Sequence, residues 1–238
     1  MVSVSNRRLT LLHTSDLHIG SDVYPEEALV GFDQVCIQAK DRKVDAVLVA
    51  GDLFDSFRVS LESVEYVFAG LKELDRPIIV LPGNHDTLLT GAYGVSDSLP
   101  PLPANIVVLK EPAGETVSSP ELPLSVWGRP VYDHEPSFQP LAGLPSRPAN
   151  SWFVAMAHGL VMDGRTGSAR SSPITVEELS EADCDYIALG HVHVFRDVTQ
   201  NGPVAFYCGA PSGAQRRTAA LVTLDPVDGA SVETLSLN

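Results

Sequence analysis

A chain of 238 residues, 44% hydrophobic and 19% charged, is long enough to bury a large core, and one domain over residues 1–238 is expected. Thirty acidic against 16 basic residues leave a net charge of −14, which excludes a broad basic footprint for nucleic acid. No apolar run approaches the length needed to span a bilayer, and the first eight residues lack the basic, apolar, small-residue order of a signal peptide. Cys36, Cys184 and Cys208 have no metal-finger spacing and read as small buried hydrophobes in a reducing compartment, so the cytoplasm is the expected location. Every lysine lies at or before Lys110. Beyond it the cations are arginines, including Arg165, Arg170, Arg196, Arg216 and Arg217. Arginine suits phosphate recognition, although ordinary surface charge accounts for each one singly.

In chain order, Leu9 to Leu12 reads as a first core strand ending in His13-Thr14-Ser15-Asp16. Pro25, Glu26 and Glu27 mark a helix start, with Ala28, Leu29, Phe32, Val35, Cys36 and Ala39 on its buried face. Asp45 to Ala50 is a strand covered on both faces. Ser60 caps a second helix with the stripe Leu61, Val64, Val67, Phe68, Leu71 and Leu74. Pro77 to Val80 is the third strand, and it leads into Leu81-Pro82-Gly83-Asn84-His85-Asp86. The β-α-β-α-β order argues for a parallel sheet with crossover helices. Further strands are expected at Asn105–Leu109, Leu122–Trp127, Trp152–Ala157 and Tyr186–Leu189. The proline-rich stretch from Glu111 to Asn150 reads as loops and strand edges, a candidate flap over the site. After His193 come only strands and turns: Val204–Cys208, Thr218–Leu224 and Ser231–Leu237. That tail suggests a second, mixed sheet packed on the first.

Five polar turns carry the chemistry. They are Asp16-Leu17-His18, Gly51-Asp52-Leu53-Phe54-Asp55, Gly83-Asn84-His85-Asp86, His158-Gly159 and Gly190-His191-Val192-His193. Each follows an apolar strand, and open α/β sheets place their chemistry at the C-terminal ends of strands. Singly, an Asp after a strand is a turn or cap, and a His finds an ordinary hydrogen bond. Jointly, the carboxylates, imidazoles and one amide form the ligand inventory of two divalent cations held close by a shared carboxylate. Asp16 and His18 are two apart on a segment read as extended, which puts both on one side, and His191 and His193 share that spacing. Asp52 lies between the other ligand-bearing strands and is the natural bridge. His13 reads as a core or supporting group, His134 as solvated, and Asp86 as turn-forming, with a supporting role to the ligands as the alternative.

In order and in full, these motifs resemble the calcineurin-like metallophosphoesterases. The flanking words His13-Thr14-Ser15-Asp16, Asp52-Leu53-Phe54-Asp55 and Asp185-Tyr186-Ile187-Ala188-Leu189-Gly190-His191 look most like the SbcD-type DNA-repair nucleases. The resemblance implies a four-layer α-β-β-α sandwich with two mixed β-sheets and the metals at the strands' C-terminal edge. It also implies that Asp16, His18 and His193 bind one metal and Asn84, His158 and His191 the other, with Asp52 bridging. Hydroxide between the metals is then the nucleophile. His85 faces the leaving oxygen, and Asp55 orients and charge-supports His85. Manganese is the expected metal, and iron, zinc and nickel suit the same ligands. The SbcD-type nucleases also carry a DNA-capping domain and a segment for an ATPase partner, and this chain stops soon after its last core strand.

The expected activity is that of a metal-dependent phosphoesterase, in particular a phosphodiesterase acting on a phosphate-ester substrate. An SbcD-type exonuclease or endonuclease acting on nucleic acid is the alternative. A non-catalytic binding protein on the same fold is the reading from another class. Such a protein should lack a ligand, above all Asp52, or else His85, and this sequence keeps every one.

Overall fold

A computed structural model of the protein describes residues 7–86, 100–132, 135, 137–162, 172–212 and 216–237. His134, Arg165 and Arg170 lie outside the described residues. The near-continuous apolar runs fold as β1 (Leu9–Thr14), β2 (Ala46–Ala50) and β3 (Ile78–Leu81), each buried on both faces. Between them run α1 (Pro25–Asp41), with proline at its first turn and Glu26 and Glu27 facing the helix dipole, and α2 (Leu61–Lys72). Ser60 caps α2 by accepting the Ser63 N–H at 3.1 Å. The strands that follow are β4 (Ile106–Val108), β5 (Glu115–Ser118), β6 (Leu124–Gly128) and β7 (Trp152–His158). A two-stranded pair, β8 (Leu160–Met162) and β9 (Pro173–Thr175), leads into α3 (Val176–Glu181), whose Thr175 and Glu178 form a capping box. β10 (Tyr186–Gly190), β11 (Phe195–Asp197), β12 (Val204–Cys208), β13 (Thr218–Asp225) and β14 (Gly229–Ser236) complete the series.

Two six-stranded mixed sheets result, in the orders β14-β13-β1-β2-β3-β4 and β11-β12-β10-β7-β6-β5. The centre of each is parallel, and antiparallel pairs lie toward the edges. Leu11, Leu48, Ile79 and Leu81 of the first sheet meet Val126, Val154, Met156 and Ala188 of the second in a shared core. On the outer face of the first sheet, Phe32, Val35, Val64, Val67 and Leu71 of α1 and α2 bury Val47, Val49, Ile78 and Val80. The outer face of the second is covered thinly, by Leu179 of α3 and by Leu141 and Leu144 from a loop. These are the expected four layers.

Two expectations need correction. The C-terminal strands do not all build the second sheet: β13 lies antiparallel to β1 with Leu9 opposite Leu224, and β14 pairs with β13. The reason is that β1 is buried on both faces, so its edge away from β2 needs a neighbour that is also buried on both faces. β13 is that strand, with its first five residues buried. Nor do the described residues of the stretch from 111 to 150 form a flap over the site. None of its described residues lines the cleft, and Leu141 and Leu144 pack on the far side of the second sheet.

Candidate metal centre

The C-terminal ends of β1, β2 and β3 face those of β7 and β10, and all five polar turns meet there. Three glycines permit the approach. A Cβ on Gly51 would sit 2.1 Å from His158 Nδ1, and one on Gly83 would sit 2.3 Å from Asp52 Oδ1. Gly190 stands close enough to the Ala50 carbonyl that the two sheets touch backbone to backbone.

The backbone carries the second unusual feature. Asp16 (φ 54°), His18 (φ 50°), Asp52 (φ 54°) and His191 (φ 91°) all occupy the left-handed region. Such conformations cost a non-glycine residue on the order of 1–3 kcal/mol each and cluster at functional sites. This corrects the extended geometry expected at Asp16 and His18. Their side chains converge because a left-handed turn redirects each of them, and strand alternation plays no part. The turn is pinned to its neighbour by Asp16 N–H donating to the Gly51 carbonyl (2.9 Å) and His18 N–H to the Asp52 carbonyl (3.0 Å).

Asp52 Oδ2 lies 3.2 Å from His158 Nε2 and 3.9 Å from His18 Nε2, so one carboxylate reaches histidines from both sheets. Its other oxygen accepts the His85 N–H at 2.9 Å. Asn84 Oδ1 is 3.0 Å from His158 Nε2, while His158 Nδ1 donates to the Ala50 carbonyl at 2.9 Å. Asp16 Oδ1 is 3.5 Å from His193 Nε2, and the Asp16 carboxylate accepts the His191 N–H at 3.1–3.2 Å. Asp16, His18 and His193 form one group whose donor atoms lie within 4.8 Å of one another, Asp16, Asp52 and His158 form a second, and His18, Asp55 and His85 a third. The cleft above them has a volume of about 360 Å³.

The electrostatics are those of a cation site. Burial favours the neutral form of Asp16 and Asp52, yet neighbouring histidines hold both below the usual carboxylate range. Burial lowers His158, but the Asp52 carboxylate beside it wins and pushes it up to about 9. A proton on His158 Nε2 thus reconciles three electron-rich atoms, from His158, Asn84 and Asp52, and a divalent cation would do the same. His18 gives the sharper test. Its Nε2 is buried and has no hydrogen-bond partner among the described residues, although burial makes such an orphan costly. Its Nδ1 meets Asp55 Oδ1 at 3.1 Å. A carboxylate on one nitrogen and an open lone pair on the other is how a metal-binding histidine is held. The donor set of carboxylate, imidazole and amide oxygen therefore fits divalent metal ions.

The structure redistributes two expected roles. The Asp55 carboxylate hydrogen-bonds His18, and it stands 4.0 Å from His85 Nδ1. What orients His85 is the Asp55 backbone carbonyl, which accepts from His85 Nδ1 at 2.8 Å. Asp86 does more than form a turn. It is fully buried and accepts the N–H groups of Leu53 (3.1 Å), Phe54 (2.8 Å) and Gly83 (3.0 Å), tying the Asp52 turn to the Asn84 turn. Burial and the Asp52 charge push it up to about 7 against those three donors. Only the Gly83 contact, three residues away, was visible in the local sequence. Ser15 and Ser212 also escaped the sequence: the first donates to the Asp16 carboxylate, the second to the Asp16 carbonyl at 3.2 Å. His13, pushed down to about 3 by burial, meets Tyr186 Oη at 2.9 Å between the sheets and is a core group.

Asp86→Ala should strip three buried donors of their acceptor. At about 1–3 kcal/mol for each unsatisfied group, the loss is at least ~3 kcal/mol. For a chain of this size that lowers Tm by roughly 6–12 °C. A melting curve superimposed on the wild type would show that those bonds do not hold the two turns.

The calcineurin-like phosphoesterase family model matches residues 9–195. An uncharacterized metallophosphoesterase of Bacillus subtilis, YhaO, is 28% identical over 221 residues, covering 84% of this chain and 52% of the relative. The SbcD component of the nuclease SbcCD from the same organism is 27% identical, covering 85% of this chain and 61% of the relative. The chain thus spans less than two thirds of either relative's length. Among solved structures, TT1561 of Thermus thermophilus has a TM-score of 0.59 at 13% identity, covering 98% of this chain and 100% of that one, a likeness of fold. No helix among the described residues is long and apolar enough to cross a membrane. With the family model matching most of its length, and the five polar turns meeting at one sheet edge, the chain belongs to the calcineurin-like phosphoesterase family.

Proposed function

We propose that the chain, as one domain over residues 1–238, is a phosphodiesterase that works with two divalent ions, manganese for preference. Asp16, His18 and His193 would hold one ion, Asn84, His158 and His191 the other, and Asp52 both. The observation that carries this reading is the Asp52 carboxylate standing between His18 and His158, at 3.9 and 3.2 Å. When bound, such a pair supplies Lewis acidity at the phosphoryl oxygens and ionises water near neutral pH. The rest falls to the chain's own groups. His85 lines the cleft and donates through Nδ1 to the Asp55 carbonyl, so its Nε2 is the atom that can give a proton to the departing oxygen. Asp55 holds the tautomer of His18 that leaves Nε2 as the ligand atom.

A second reading is a DNA nuclease, favoured by the likeness to the SbcD component of SbcCD and to an Mre11 of Haloferax volcanii at 29% identity. Against it, no lysine or arginine lines the cleft among the described residues. A non-catalytic binding protein is disfavoured because every ligand-type residue is present and the set converges. The deciding experiment is turnover of bis-p-nitrophenyl phosphate, a phosphomonoester and single-stranded DNA by the same preparation, with metals varied. Activity should vanish in chelator, return with manganese and favour the diester. Full activity after chelation and dialysis would sink the metal reading, and preference for DNA would select the nuclease.

Metal loading should also depend on pH. With His158 held up to about 9 in the metal-free protein, a proton occupies Nε2 throughout the neutral range and must leave when a cation binds. Manganese affinity should therefore rise with pH up to about 9, by about one decade per unit for each proton displaced. An affinity that stays constant between pH 6 and 8 would refute that exchange.

A further inference from the structure

The metal cleft is acidic, lacks lysine and arginine among its described lining residues, and belongs to a chain of net charge −14. His193 forms its wall on one side and also lines a second groove of about 220 Å³. That groove is bounded by Val194, Phe195, Arg216, Thr218 and Thr234. Arg216 is the one arginine or lysine in either concavity among the described residues. It is also uncommitted among the described residues. Arg129 donates to the carbonyls of Pro112 and Gln139, and Arg147 pairs with Asp183 and Asp185. Arg216, in contrast, is exposed and makes no hydrogen bond or ion pair with any described residue. Its position is set from below: Gly209 packs closely against Thr218 and Phe195 at the start of β13, so the residues leading into that strand stand beside β11. A guanidinium that offers a bidentate fork and has no partner among the described residues, the exposed Thr234 and an exposed apolar wall make up the chemistry of an anion subsite, while the buried Thr218 hydroxyl is spent on the Cys208 carbonyl.

Resting on the phosphodiesterase reading, we propose that Arg216 and this groove form a specificity subsite adjoining the metal cleft at His193. It would recognise a second anionic group, a phosphate in particular, on the same substrate as the scissile ester. Metals held by the histidines and carboxylates of the cleft would serve the reacting phosphate. They offer nothing to a further charge one unit along the substrate, which would meet the chain's negative field without Arg216.

The test uses the manganese-loaded protein and two esters that differ only in the second anion. These are thymidine 5′-(p-nitrophenyl phosphate) and the same ester carrying a 3′-phosphate. The wild type should prefer the 3′-phosphorylated ester, mainly through KM. Arg216→Ala should reduce kcat/KM for that ester about 10–100-fold more than for the simple one, the worth of a hydrogen bond to a charged group. Arg216→Lys should recover part of the preference at low ionic strength, where a point charge is least screened. A merely structural role would lower both esters alike and shift Tm. Equal losses on both esters, or a wild type indifferent to the 3′-phosphate, overturn the proposal. If the wild type cleaves neither ester, the phosphodiesterase reading fails by itself. Calorimetric binding of thymidine 3′,5′-bisphosphate then decides the subsite: binding weakened about 10–100-fold in Arg216→Ala sustains it, and equal or absent binding removes it.

Discussion

Asp52→Asn is expected to lose hydrolytic activity by at least the ~10²–10⁴-fold that a single acid–base group contributes, and to lose metal with it. Three observations converge on this residue. Its Oδ2 reaches His18 and His158 from opposite sheets, its Oδ1 accepts the His85 N–H, and its backbone is held left-handed at φ 54°. The amide keeps the shape and the hydrogen bond but removes the negative charge that, on the proposed reading, would hold two dications close together. It can also present its NH₂ group to a cation, where the carboxylate presents only oxygen. Asn84→Ala removes a neutral oxygen from one side only, so its loss should be smaller. Metal analysis beside the rate distinguishes the two variants. Two ions retained in Asp52→Asn would mean that the bridge lies elsewhere.

His85→Ala should fall about 10²–10⁴-fold in rate while keeping its metal, because the ring is turned toward the cleft by the Asp55 carbonyl and is assigned to the leaving oxygen. The deficit should shrink with a leaving group as acidic as p-nitrophenol and grow with an alkyl ester. Metal loss in His85→Ala would make it a ligand. Asp55→Asn now separates from His85→Ala. Its carboxylate supports His18 at 3.1 Å, so the expected effect is metal affinity weakened by about 10–100-fold, with the dependence on leaving group unchanged. A variant of Asp55 that copied the leaving-group profile of His85→Ala would restore the pairing expected from sequence.

What could be read in the chain and what could not divide along sequence distance. Runs such as Ala46–Ala50 and Trp152–His158 are apolar at every position but the last histidine, and the turns that follow them announce their ligand types, so the strands and the five polar turns were legible. The supporting bonds were not. Asp86 reaches Leu53 and Phe54 across more than thirty residues, and no periodicity marks an acceptor for a distant N–H. Asp55 follows the same logic: its proximity to His85 was foreseeable, but whether its side chain or its carbonyl would make the bond depends on backbone geometry at a turn. Short edge strands such as β5, half-exposed on alternate residues, gave no apolar run to detect. The placement of β13 beside β1 was hidden too, because hydrophobicity says that a strand is buried and not which sheet buries it.

That last pairing has a consequence for how the molecule is assembled over time. β1 leads into the first of the polar turns, yet one of its two neighbours in the sheet is β13, drawn from near the other end of the described residues. Closing so long a loop costs entropy before the contact returns any, and topologies rich in such pairings fold slowly. Until β13 docks, β1 is an open apolar edge, the kind of surface on which unfinished chains aggregate. Among the strands that feed the candidate metal centre, the earliest in sequence is therefore secured on both sides only when one of the last arrives.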